Sequence, residues 1–171
     1  MTRFGLLMVV AVGASGCGYS SGSMMPEGVH SVAVGIFGNE TFYRHAEVTY
    51  TRELTRELVR RAHVDVRDPA KADVVITGRI LTIPRITLVE DRIDQILEGG
   101  VVVRVEVKVE DPRTGQAVID PFFINRRAEY VVPRPETLQT AIDEAVRDAA
   151  RSTVHRIQAH SFLVERTSAR Q

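Results

Sequence analysis

The run VVVRVEVKV, Val101 to Val109, sets the fold class. Val101, Val103, Val105, Val107 and Val109 alternate with Arg104, Glu106 and Lys108. Side chains along a strand point alternately to opposite faces, so the valines bury one face and the charges wet the other. A sheet with one dry and one wet face is the signature of antiparallel pairing. The next residues, Asp111-Pro112-Arg113-Thr114-Gly115, read as a hairpin turn. Proline presets its backbone angle and glycine accepts a positive one. Ala117 to Val132 is then the returning strand, with a bend expected at Asp120-Pro121.

Outward from this hairpin, Pro133-Arg134-Pro135 stops the sheet and Thr137 to about His160 reads as a long helix. Its stripe is Leu138, Ala141, Ile142, Ala145, Val146, Ala149, Val154 and Ile157. Ser161 to Gln171 reads as a polar tail. Upstream, Asp73 to Ile83 is β-branched and reads as a long strand. Arg85 to Gly100 admits two readings: the strand continues past Pro84, or a loop projects from the sheet. Val64 and Val66 start a short strand that Asp68-Pro69 ends. Ala46 to Ala62 reads as a helix with Val48, Thr51, Leu54, Leu58 and Ala62 on its packed face. Glu53 with Arg56, and Glu57 with Arg60 and Arg61, are placed to pair on a solvated surface. His30 to Phe37 alternates Val32, Val34 and Ile36 as a strand, broken by the turn Gly38 to Thr41. The predicted fold class is α+β: a two-layer sandwich, with a mostly antiparallel or mixed sheet and two helices packed on one face.

The beginning of the chain has a different composition. Arg3 supplies a positive start, Phe4 to Val12 is apolar apart from Gly5, and Ala14-Ser15-Gly16 are small residues directly before Cys17. This is a secretory signal layout. The apolar run is shorter than the roughly 20 residues that span a bilayer. ASGC, Ala14 to Cys17, resembles the lipobox of bacterial lipoproteins, with alanine where leucine is usual. That resemblance implies cleavage after Gly16, diacylglycerol on the Cys17 sulfur and a fatty chain such as palmitate on the new amine. Each buried CH₂ contributes about 0.8 kcal/mol, and two or more chains hold a protein stably on a membrane. Gly18 after the cysteine implies sorting to the outer membrane. The expected layout is a signal peptide over 1–16, a lipidated tether over 17–28, one domain over 29–162 and a polar tail over 163–171.

The chain holds 22 basic and 22 acidic residues. Loss of residues 1–16 removes Arg3, leaving 21 basic against 22 acidic. A balanced surface excludes bulk attraction to nucleic acid, so any anion site has to be local. One cysteine excludes an internal disulfide and a thiolate zinc site. His30, His45, His63, His155 and His160 have no metal-binding spacing, and no nucleophile elbow or phosphate-cradling loop occurs. Glu90, Asp91 and Asp94 lack the spacing and glycine of a calcium loop and read as solvated. No cofactor and no catalytic residue is expected, and the chain is read as a non-enzyme. The arginines offer the one candidate ligand site. Arg126 and Arg127 are strand neighbours, so only one of them can meet a given ligand. Arg79, Arg85, Arg92 and Arg104 fall on stretches of the same sheet. Guanidinium groups recognise phosphate through paired donors, so Arg126, Arg127, Arg92 and Arg85 are the candidate ligand-binding set.

Three stretches together resemble the LptE family of lipopolysaccharide-assembly lipoproteins. They are CGY at Cys17-Gly18-Tyr19, VAVGIFGNETFYRHAEVTYTRELTRELVRR from Val32 to Arg61, and ADVVITGRIL from Ala72 to Leu81. The family resembles this order: an apolar strand ending in a phenylalanine–x–asparagine turn, a helix with a repeated leucine pattern, then an Ala-Asp strand. The resemblance implies a non-enzymatic outer-membrane lipoprotein facing the periplasm. It would assist lipopolysaccharide transport to the cell surface as the plug of an LptD-like β-barrel, with the barrel, lipopolysaccharide and membrane as partners. The strand-and-helix opening also resembles lipoproteins of the LpoB and CsgG kinds. This implies an alternative, a periplasm-facing regulator of a peptidoglycan synthase or a secretion channel.

Overall fold

The computed structural model describes residues 25–26, 28–90, 96–131 and 138–168. The described strands are β1 (Ser31–Val34), β2 (Gly38–Asn39), β3 (Asp65–Val66), β4 (Val74–Thr82), β5 (Arg85–Glu90), β6 (Ile96–Glu110) and β7 (Ala117–Val131). Two helices accompany them, α1 (Ala46–Glu57) and α2 (Leu138–Ser168). All the strands join one mixed sheet. β1 pairs in parallel with β3 and β4, β2 pairs in parallel with β4, and every pairing of β6 is antiparallel. The α+β sandwich expected from the sequence is the fold observed.

β6 organises the sheet because its valine face is the floor of the core. Val101, Val103, Val105, Val107 and Val109 are all buried. Each contributes about 1.5–3 kcal/mol relative to an exposed valine. β7 covers one edge of β6 from Glu98 to Glu110. A strand has two edges, so β4 and β5 share the other, end to end. Thr82 pairs with Arg104 and Arg85 with Val101, so the register carries through Pro84. Proline donates no ladder bond, but its carbonyl accepts from Val102 N–H at 3.1 Å. Of the two readings of Arg85 to Gly100, the continuing strand is therefore correct. β6 starts five residues before the valine run, at Ile96. The bend expected at Asp120-Pro121 is a bulge: Val107 pairs with Phe122 and Val109 with Ile119, setting two residues against one. Gly115, at φ +69°, closes the hairpin by donating to Asp111 O at 2.8 Å.

Both helices lie on the valine side of the sheet, α1 against β1, β2 and β4, and α2 against β6 and β7. The stripe expected on α2 is buried from Ala141 to Ile157, and the helix runs on past His160 to Ser168. α1 departs from the reading of its packed face. Val48 is 51% exposed, whereas Ala46, Tyr50, Glu53, Leu54 and Glu57 are buried. The helix widens into a π turn over Leu58–Ala62, keeping Leu58 and Ala62 inward, and ends at His63 with φ 50°. The ion pairs were placed correctly along the sequence, but their carboxylates are not solvated. Glu57 is 1% exposed and accepts from Arg60 and Arg61, both at 2.5 Å. Glu53 accepts from Arg56 at 3.0 Å and faces Arg151 of α2 at 3.8 Å. Hydrophobic periodicity takes no account of a carboxylate that is buried because two guanidiniums neutralise it. Met25, read as part of the tether, is also buried, at 4% exposure.

Burial alone would raise the Glu57 carboxyl pKa. The hydrogen bonds and charges of Arg60 and Arg61 outweigh it and hold the group below its ordinary value of 4.5. A depressed carboxyl stabilises the fold above its unfolded pKa, and the contribution is lost as pH falls through the folded value. The expected result is a melting temperature that falls from about pH 5 downward in the wild type and falls less steeply in Glu57→Gln. At pH 7 the variant should be less stable by about 1–2 kcal/mol, since the arginine ends are solvent-screened. Parallel pH profiles for the two proteins would refute the assignment.

Candidate functional site

The turn after β1 is built around Asn39. Its Nδ2 donates to Tyr43 O at 2.8 Å and to Glu47 Oε2 at 2.7 Å, and its Oδ1 accepts from Thr41 N–H at 2.9 Å and Thr41 Oγ at 2.7 Å. This network starts α1, whose preceding residue, His45, has φ 68° and makes no side-chain cap. Two residues before Asn39, Phe37 is buried and its ring meets Tyr50 at 4.5 Å between centroids. Phe37 lies over Gly78 of β4, where an added Cβ would sit 2.5 Å from its Cε1. At the start of β4, Asp73 Oδ2 accepts from Ser31 Oγ and Ser31 N–H, each at 2.8 Å, and from His30 N–H at 3.0 Å. The Ser31 hydroxyl, then the backbone donors, hold this carboxyl below the usual range. These contacts fasten β1 to β4.

The sheet face away from the helices carries Arg79, Arg104 and Arg127, as strand alternation requires. Arg79 is held by Glu106 at 2.6 Å and Glu40 at 2.7 Å. Arg104 stacks 4.7 Å above the Phe123 ring. Arg127 pairs with Glu129 at 2.9 Å. Arg126 points to the helix side and donates through Nε to Ser152 Oγ of α2 at 2.5 Å. Arg85 pairs in register with Val101, so it shares the helix side with Arg126 but lies across β6 from it. Arg92 lies outside the described residues, as do Cys17, Asp91 and Asp94. The candidate set Arg126, Arg127, Arg92 and Arg85 is thus not gathered into one patch among the described residues. Arg126 and Arg127 diverge as expected, and Arg127 is already matched by a carboxylate.

Sequence reasoning missed a cleft of about 340 Å³ where β2 ends and the β4–β5 bend begins. Its walls include Phe42, Tyr43, Leu81, Ile83 and Pro84. Phe42 is fully exposed beside it, and Ile36 is 83% exposed. The aromatic pair in Thr41-Phe42-Tyr43 was the available signal, but the cleft depends on a strand bend that local sequence does not specify. Among the described residues, no cluster of three or more His, Cys, Asp or Glu side chains could hold a metal. No described helix is long and apolar enough to cross a membrane.

The lipopolysaccharide-assembly family LptE matches residues 29–157, nearly the whole folded body. The chain belongs to the LptE family. The family resemblance seen in the sequence is therefore correct, and two of its three stretches, Val32 to Arg61 and Ala72 to Leu81, lie inside the match. LptE is a family of non-enzymatic lipoproteins serving lipopolysaccharide assembly. Several solved structures share the fold. A minor lipoprotein of Acinetobacter baumannii superposes with a TM-score of 0.55 at 16% identity, covering 77% of this chain and 94% of its own. A hypothetical protein of Chlamydia trachomatis gives 0.55 at 14% identity, covering 78% and 98%. An uncharacterized lipoprotein B of Nitrosomonas europaea gives 0.52 at 15%, covering 88% and 91%. At such identities these neighbours establish the fold alone. No curated protein matches the chain. Phe37, Asn39, Asp73 and Gly78, all within the two LptE-like stretches inside the match, join β1, α1 and β4.

Proposed function

We propose that this chain is an outer-membrane lipoprotein, anchored through Cys17, that assists lipopolysaccharide assembly as the partner of an LptD-like β-barrel. The LptE match over residues 29–157 carries this reading. The leader and lipobox-like ASGC supply the anchor. A sheet face on which arginines are matched by carboxylates or stacked on a ring suits the polar lumen of a wide barrel. Exposed Phe42 and Ile36 provide apolar contacts for the barrel wall to cover. Nothing in this role requires a catalytic group, so the chain acts by binding and positioning.

Crosslinking in the native cell, followed by identification of the captured partner, tests the reading. A large outer-membrane barrel should be recovered with the wild type, and Cys17→Ser should lose fatty-acid labelling and most of that capture. A peptidoglycan synthase or secretion channel as the main product would replace this function with the regulatory alternative.

A further inference from the structure

β7 ends the sheet, and among the described residues no strand pairs with its outer edge. Past the Asp120–Pro121 bulge this edge is regular from Phe122 to Val131. A long unpaired edge is a template for another strand, and proteins normally shorten, bulge or cover it. Which groups it presents follows from the opposite side of β6. Val102 N–H donates to Pro84 O, so the backbone groups of Val102 point toward β5. Those of its neighbours Val101 and Val103 point toward β7, to their partners Ala128 and Arg126. The N–H and C=O groups of Asn125, Arg127, Glu129 and Val131 therefore point outward. Asn125 O agrees with this: it accepts from the Arg126 guanidinium at 3.1 Å.

We propose that a second copy of this chain pairs with that edge, β7 antiparallel to β7 about a two-fold axis at Ala128. The charges select both the occupant and the register. A two-fold axis at Arg126 or Arg127 sets arginine against arginine. An axis at Asn125 brings Pro121 opposite Glu129, drawing the bulge into the ladder. An axis at Ala128 places each Arg127 opposite the Glu129 of the other copy. The two residues lie on the same sheet face, 46% and 60% exposed at their side chains. Each copy already pairs them at 2.9 Å, so the dimer closes an alternating ring of four charges. In this register Arg127 and Glu129 exchange outward-pointing backbone hydrogen bonds, and the small Ala128 sits on the axis. A body seated in a barrel lumen leaves no room for a second copy at this edge, so the dimer is a state of the free lipoprotein, and its test is separate from that of the barrel partner proposed above.

The test uses the mature lipoprotein in detergent, examined by sedimentation over a wide concentration range. The wild type should show a monomer–dimer equilibrium. Arg127→Glu and Glu129→Arg, which set like charges face to face, should each weaken the dimer about tenfold or more. The double exchange should restore it, since every residue again meets its opposite. Circular dichroism melts establish that the variants fold. Hydrogen exchange on the wild type gives a second measurement: the Arg127 and Glu129 amides should gain protection as concentration rises. A monomeric wild type, dimers insensitive to single reversal, or a double exchange that fails to restore pairing would each overturn the proposal.

Discussion

Gly78→Ala should destabilise the protein by at least about 3 kcal/mol, lowering its melting temperature by roughly 10 °C. The methyl group would lie 2.0 Å from Glu106 O on β6 and 2.5 Å from the Phe37 ring. The first neighbour is backbone held in the β4–β6 ladder, so it yields only if the strands separate. The second is a buried ring pinned against Tyr50, so it has little room to turn. Overpacking at a site where both neighbours are fixed costs more than the usual core insertion. Shortening the ring with Phe37→Leu in the same chain should recover only part of the loss, because the carbonyl clash remains. Thermal unfolding by circular dichroism checks both variants. A Gly78→Ala protein melting within about 2 °C of wild type would mean that Phe37 does not pack over β4 as described.

Tyr50→Ala should cost about 3–5 kcal/mol, and Tyr50→Phe only about 1 kcal/mol. Tyr50 is wholly buried between α1, the sheet and α2. Thr153 donates to Ala149 O at 3.0 Å, so the Tyr50 hydroxyl is the donor in its 2.6 Å bond to Thr153. Burial raises the pKa of that hydroxyl, so it keeps its proton throughout the range in which the protein is folded. Phenylalanine removes the donor but leaves the Thr153 hydroxyl bonded to its own helix. Alanine also empties the space that Phe37 and α2 pack against. Chemical denaturation of both variants measures the difference. Near-equal losses would place the stabilisation in the hydrogen bond instead of the ring.

The parts of this fold that could be read from the sequence are those governed by alternation. The valines of β6 and the stripe of α2 each repeat at the period of their element, and the Asp111–Gly115 hairpin was marked by its proline and its glycine at positive φ. The opposite faces of Arg126 and Arg127 follow from the same rule. What escaped depends on partners distant in the chain. Arg79 is matched by Glu106 and Glu40, and only the β4–β6 register brings the first of these beside it. Glu53 and Glu57 looked like a wet surface because their arginines lie three and four residues along the helix. That spacing is equally compatible with carboxylates turned inward beneath the guanidiniums. For the candidate arginines, strand parity assigned faces but not neighbours. The LptE-like stretches hold residues with structural tasks: Asn39 starts a helix, Asp73 fastens two strands and Gly78 admits a ring.

The direction of β6 has a mechanical consequence. Its fifteen residues span about 50 Å. The hairpin at Asp111–Gly115 and the start of β1 lie at one end, while Glu90, Ile96 and Val131 lie at the other. Partners held at these two ends would therefore stand some 50 Å apart, like hands on opposite ends of one beam. A load applied at one end reaches the other through the paired strands β4, β6 and β7, so their stiffness determines how faithfully a tilt at one contact is felt at the other.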